Sequence, residues 1–184
     1  MNILIIILII IAILIAVLLL VALFTKNEYT IEREIAINKP KQEVFNYIKY
    51  LKNQENYNKW VMLDPSMNKD YRGTDGTVGF VYSWESNNKQ VGKGEQELIK
   101  ITEVERIDHE LRFIKPFEGK ANAHLTTVSI SGDQTRAKWV FSGMRNYPMK
   151  IMHLLLNLKK ILGKDLETSL ANLKAVLEKQ SNAK

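Results

Sequence analysis

Residues 92–131 read GKGEQELIKITEVERIDHELRFIKPFEGKANAHLTTVSIS, and the period of their apolar side chains decides the fold. His109, Leu111 and Phe113 fall on one side of an alternating run and Glu110 and Arg112 on the other, the mark of a strand with one face covered. Alternating stretches recur at Gly92 to Val104, Ile107 to Phe117, Lys120 to Ser131 and Thr135 to Gly143. Immediately upstream, Val78, Phe80, Tyr82 and Trp84 alternate with Gly79, Val81, Ser83 and Glu85. Turn signals at Gly73 to Gly76, Asn87-Asn88 and Gly132-Asp133 divide the region, so its strands are expected to pair as antiparallel neighbours.

On either side of this block the period changes. Tyr29, Ile31, Ile35 and Ile37 oppose Thr30, Glu32 and Glu34 in a further half-buried strand. Pro40 suits the first turn of a helix whose apolar stripe is Val44, Phe45, Tyr47, Ile48 and Leu51. Asn53 to Val61 reads as a second short helix or turn carrying Tyr57 and Trp60, stopped by Asp64-Pro65. After Pro148, Ile151, Leu155, Leu158, Leu162, Leu166, Leu170, Leu173 and Leu177 advance in helical steps, interrupted only by Gly163. Strand, two short helices, antiparallel strands and one long amphipathic helix make an α+β domain, in which a curved sheet wraps the terminal helix to bury its inner face.

Ahead of this domain, Ile3 to Phe24 contains no charged or polar side chain. As a helix it extends roughly 33 Å, enough to cross the ~30 Å hydrocarbon core of a bilayer. A cleaved signal peptide is the competing reading. The run exceeds the usual h-region, no Lys or Arg precedes it, and Val21 to Phe24 offers no small-x-small cleavage site. The expected organisation is therefore an anchor over 1–25, a short linker over 26–28 and one domain over 29–180. Lys26, Arg33, Lys39 and Lys41 follow the anchor, which places the soluble domain in the cytoplasm of a single-pass protein of the cell membrane.

The net charge of +6 belongs wholly to that domain. Its lysines are interleaved with glutamates, with no Arg-rich helix or basic-aromatic run, so attraction to anionic lipid is expected and nucleic-acid binding is not. Cysteine is absent, which removes disulfides, thiolate nucleophiles and Cys-metal sites together.

The order of elements, with Ile37-Asn38-Lys39-Pro40 before Val44-Phe45, Trp60 before Asp64-Pro65, Gly79 with Tyr82-Ser83-Trp84, Val91-Gly92-Lys93-Gly94, Phe113 before Pro116, Thr135 with Trp139 and Gly143, and Gly163-Lys164-Asp165 before Leu170 to Lys174, resembles the START-like SRPBCC superfamily. Within it the sequence is similar to the bacterial polyketide cyclase/dehydrase branch. The resemblance covers Tyr29 to about Lys179. It implies a helix-grip fold with a deep apolar cavity between sheet and terminal helix, in a superfamily that spans cyclases, carriers and co-chaperones.

The candidate cavity lining is Trp60, Phe80, Tyr82, Trp84, Phe113, Trp139, Met149, Met152 and Leu156. Glu95 and Glu97 share a side with Ile99 and Ile101, so that side is expected to face inward and Glu97 becomes a candidate acid or polar anchor. His109, in phase with Leu111 and Phe113, is a candidate inward polar group. The three histidines form no metal-binding spacing, and neither a nucleophile elbow nor a phosphate-gripping loop is present, so no metal, cofactor or nucleotide is expected. The function expected is binding of a hydrophobic small molecule, lipid or isoprenoid-like, by a membrane-anchored monomer. A cyclase- or dehydratase-like enzyme and a protein-interaction module are the alternatives.

Overall fold

In a computed structural model of the protein, residues 2–144, 150, 151 and 157–179 are described. Helix α1, Ile3–Phe24, leads through three residues into strand β1, Glu28–Ile37. Helix α2 (Lys41–Ile48), a 3-10 helix (Leu51–Asn56) and helix α3 (Lys59–Met62) follow. Six further strands come next: β2 (Asn68–Arg72), β3 (Val81–Glu85), β4 (Lys93–Thr102), β5 (Arg106–Lys115), β6 (Gly119–Ser131) and β7 (Gln134–Met144). Helix α4, Leu158–Lys179, closes the described fold. The strands form one antiparallel sheet in the order β1-β7-β6-β5-β4-β3-β2.

The α+β class and the strands of the central block are as the alternation predicts. The pairing of β1 with β7, from Glu28↔Met144 to Ile37↔Thr135, joins the first strand to the last. Because β1 completes the sheet beside β7, the short helices after it are carried across the sheet's concave side. Phe45, Ile48, Leu51 and Tyr57 from this connection are buried against Ile37, Ile107, Leu125 and Trp139 from the strands.

Helix α4 packs along β1 and reaches α3. Leu166, Leu170, Leu173 and Leu177 repeat at three- and four-residue steps and are fully covered, each contributing roughly 2 kcal/mol of apolar burial. Polar contacts fix its position: Lys59 pairs with Asp165, the Lys59 backbone N–H donates to Ser169 Oγ at 3.0 Å, and Lys174 Nζ donates to the Ala36 carbonyl at 2.6 Å. Gly163 lies against Arg33; a Cβ there would stand 2.3 Å from the guanidinium.

Several local expectations need correction. The short helix or turn expected over Asn53 to Val61 is two short helices, because Asn58 caps a new one, its side-chain oxygen accepting from the Trp60 N–H at 3.0 Å. The helix Leu158–Lys179 begins after Asn157, which stands at φ 45°, outside the right-handed helical region; Lys150 and Ile151, nearer the expected start, are also helical, and residues 152–156 of the expected run lie outside the described residues. The strand expected from Val78 begins only at Val81, and Val78 is exposed. Strand β2 was not legible at all, its Asn-Lys-Asp-Tyr-Arg sequence carrying little apolar signal for an edge strand.

The inward assignment of Glu97 is also wrong. A bulge between Leu98 and Lys100 leaves Ile99 without a partner in the ladder and reverses the side-chain phase. Ahead of the bulge Gly94, Gln96 and Leu98 point inward and are buried, while Glu95 and Glu97 face outward. There Arg112 meets three carboxylates, Glu97 at 2.8 Å, Glu110 at 2.7 Å and Glu95 at 3.2 Å. Those bonds hold the guanidinium still further above its ordinary range and lower the Glu110 carboxyl.

Candidate functional site

The concave face can be built row by row from the strand register. At one end of the sheet, Trp84, Gly94, Phe113 and Gly119 lie side by side on β3 to β6. The next inward row is Tyr82, Gln96, Leu111, Ala121, Gly143 and Tyr29. Then come Leu98, His109, Ala123, Phe141 and Ile31, and after them Ile107, Leu125 and Trp139.

Small residues make the room. Gly94 lets the Trp84 indole lie flat on the strand; a Cβ at that position would come within 2.6 Å of the ring and 2.7 Å of the Arg112 carbonyl. Ala121, Ala123 and Gly143 leave similar space on β6 and β7, where larger side chains would fill it. Over this hollow close Gln54, Asn58, Trp60 and Val61 from the helical connection and Leu158 and Leu162 from α4. The result is a cavity of about 930 Å³.

Its walls are mostly aromatic and aliphatic. Tyr82 and Trp84 stand with ring centres 5.8 Å apart, Trp84 meets Phe113 edge-on at 6.3 Å, and Trp139 is backed by the core residue Tyr57, edge-on at 6.0 Å. The Trp84 indole N–H is fixed by the Val91 carbonyl at 3.1 Å. Three buried polar atoms belonging to lining residues, Gln54 Nε2, the Tyr82 hydroxyl and Trp139 Nε1, have no hydrogen-bond partner among the described residues. Burial pushes the Tyr82 phenol well above its ordinary range, so the group stays neutral and able to donate.

Of the residues predicted from the sequence, Trp60, Tyr82, Trp84, Phe113 and Trp139 line this cavity. Phe80 is buried beside it in the core, stacked on Tyr71. His109 does point to the concave side, but it lies in the packed row between Leu98 and Ala123, is 1% exposed, and is not part of the cavity wall. Both of its ring nitrogens lack partners among the described residues, and burial pushes its pKa down to about 4. Glu97 lies on the opposite face, and Met149, Met152 and Leu156 fall outside the described residues.

Gln54, Asn58 and Gln96 are lining residues that sequence reasoning missed. Gln96 carried a usable signal, being in phase with the buried Leu98 once the bulge is placed. Gln54 and Asn58 carried none, since their position depends on how the connection folds back over the sheet.

No family model matches the chain, and no curated protein matches it. Solved structures do. A protein from Thermobifida fusca superposes with a TM-score of 0.60 at 15% identity, covering 82% of this chain and 93% of its own. The fold is the helix-grip fold. Norcoclaurine synthase from Thalictrum flavum, solved with dopamine and hydroxybenzaldehyde, gives 0.59 at 12% identity over 82% and 87% of the two chains. The Aha1 dimer from Colwellia psychrerythraea gives 0.55 at 14% identity over 82% and 96%. At these identities the likeness is one of architecture, and the neighbours themselves differ in what they do.

Proposed function

We propose that this protein is a membrane-anchored binder of a hydrophobic small molecule, a lipid or isoprenoid-like compound held in the helix-grip cavity. The observation that carries this reading is the cavity itself: about 930 Å³ with predominantly apolar walls, at the upper end of the 300–1,000 Å³ typical of small-molecule sites. Helix α1 adds the second half. Its side chains from Ile3 to Phe24 are exposed apart from Ala22 and the partly covered Leu18, so no domain core claims them, and the helix is long and apolar enough to cross a membrane. Anchoring keeps the cavity where lipid-soluble ligands are concentrated. The cations at Lys26, Arg33, Lys39 and Lys41 favour a cytoplasmic domain.

The enzymatic alternative depended on Glu97 or His109 as an acid facing the ligand. One lies on the outer face and the other is sealed in the core, which favours binding without turnover.

Native mass spectrometry of the full-length protein released from detergent tests the proposal. One co-purified apolar molecule per chain is expected, and Leu111→Trp, which fills the cavity from the centre of the sheet, should reduce that occupancy at least tenfold while the protein stays folded. A folded wild-type protein that carries no such molecule and takes up no added lipid would refute the binding reading.

A further inference from the structure

We infer that the mouth of the cavity is held against the bilayer that contains α1, so that ligand passes between membrane and cavity without crossing water. The inference rests on α1 spanning a membrane, as proposed above, and its first support is connectivity. Only Thr25, Lys26 and Asn27 separate Phe24 from the start of β1 at Glu28. Fully extended, such a link reaches roughly 14 Å, so the Glu28 end of the sheet cannot leave the membrane surface. Lys150 Nζ donates to the Thr25 carbonyl at 2.8 Å, tying the segment that follows β7 to the same linker.

The second support is register. Glu28 stands opposite Met144, Gly143 opposite Ala121, Phe113 opposite Gly119, and Lys115 opposite Lys93, which in turn faces Glu85. The start of β1, the end of β7, the start of β6 and the end of β5 therefore share one end of the sheet, and that end carries the rim of the cavity. Trp84, Phe113, Pro116, Phe117 and Met144 all line it. The opposite end, with the turns at Glu103 to Glu105 and at Gly132-Asp133, is remote from the linker.

The third support is the chemistry of the rim. Phe117 is 57% exposed and Met144 65%, large apolar side chains left in the open beside Pro116. The opposite end presents Glu103, Glu105 and Asp133 to solvent. Charges at the rim largely balance, Lys93 and Lys115 facing Glu85, and Lys120 facing Glu110. Contact with the lipid surface thus depends on apolar insertion and tethering, and an uncharged bilayer suffices.

Because the chain has no cysteine, single-cysteine variants Ile13→Cys, Phe117→Cys and Asp133→Cys of the full-length protein can each carry an environment-sensitive fluorophore in phosphatidylcholine vesicles. Nitroxide lipids labelled near the headgroup should quench the Phe117→Cys probe several-fold more than the Asp133→Cys probe, in low and high salt alike. Lipids labelled deep in the acyl chain should quench Ile13→Cys. Equal weak quenching at positions 117 and 133, with position 13 quenched, would overturn the inference and leave the anchor standing. An unquenched position 13 would overturn the anchor and this inference with it.

Discussion

His109 is the residue whose chemistry the sequence located and whose environment only the fold defined. With its pKa pushed down to about 4, it is neutral in the native state across a range where the unfolded chain binds a proton. The unfolded form therefore gains protons first as pH falls below ~6.5, and native stability is lost between that value and about 4. The loss from this one group amounts to about 3 kcal/mol at pH 4. Replacing it by leucine removes the titration and the two unpaired ring nitrogens together, so His109→Leu should match the wild type at pH 7 within about 1 kcal/mol. It should also lack this share of the acid sensitivity; denaturant midpoints at pH 7 and pH 4 for both proteins measure the difference. Glu97 stands in contrast: partly exposed on the outer face beside Arg112, which keeps Glu95 and Glu110 as partners, it contributes about 1 kcal/mol or less.

At the scale of elements, the leucine stripe of α4 was fully legible because a helical period is a local property of the chain. Leu166 is completely covered beneath the helix, and Leu166→Asp would leave a carboxylate without water or a countercharge. The expected cost is upwards of about 3 kcal/mol or failure to fold, read from chemical denaturation followed by circular dichroism. Strand β4 shows the opposite case. Its alternation was plain, but the phase was carried backward from Ile99 and Ile101 through a bulge that no local pattern announces, which exchanged the two faces for Glu95, Gln96 and Glu97. Strand β2 exists because Tyr71 stacks on Tyr82 and Phe80 at 5.5 and 6.1 Å, a tertiary gain that its polar sequence hides.

For the molecule as a whole, a cavity in the centre of the fold couples stability to ligand. A compound that binds only the folded protein should stabilise it by about 2.7 kcal/mol at a hundred times its dissociation constant, seen as a concentration-dependent rise in Tm; an apolar compound that leaves Tm unchanged at high concentration does not bind the folded state preferentially and would count against a ligand cavity. By itself the sequence determined the apolar helix Ile3–Phe24, the α+β class, the antiparallel block and the terminal leucine stripe, because hydropathy and period are written along neighbouring residues. The aromatic part of the cavity wall, Tyr82, Trp84, Phe113 and Trp139, was legible for the same reason, as aromatic residues at strand spacing on β3, β5 and β7. Only the tertiary structure decided that β1 joins the sheet against β7, that Gln54 and Asn58 roof the cavity, that His109 is sealed beneath it, and that the lining residues Phe113 and Met144 share an end of the sheet with the linker to α1. Each of these depends on register between residues far apart in the chain, and register is set by the packing of the whole, not by any segment of it.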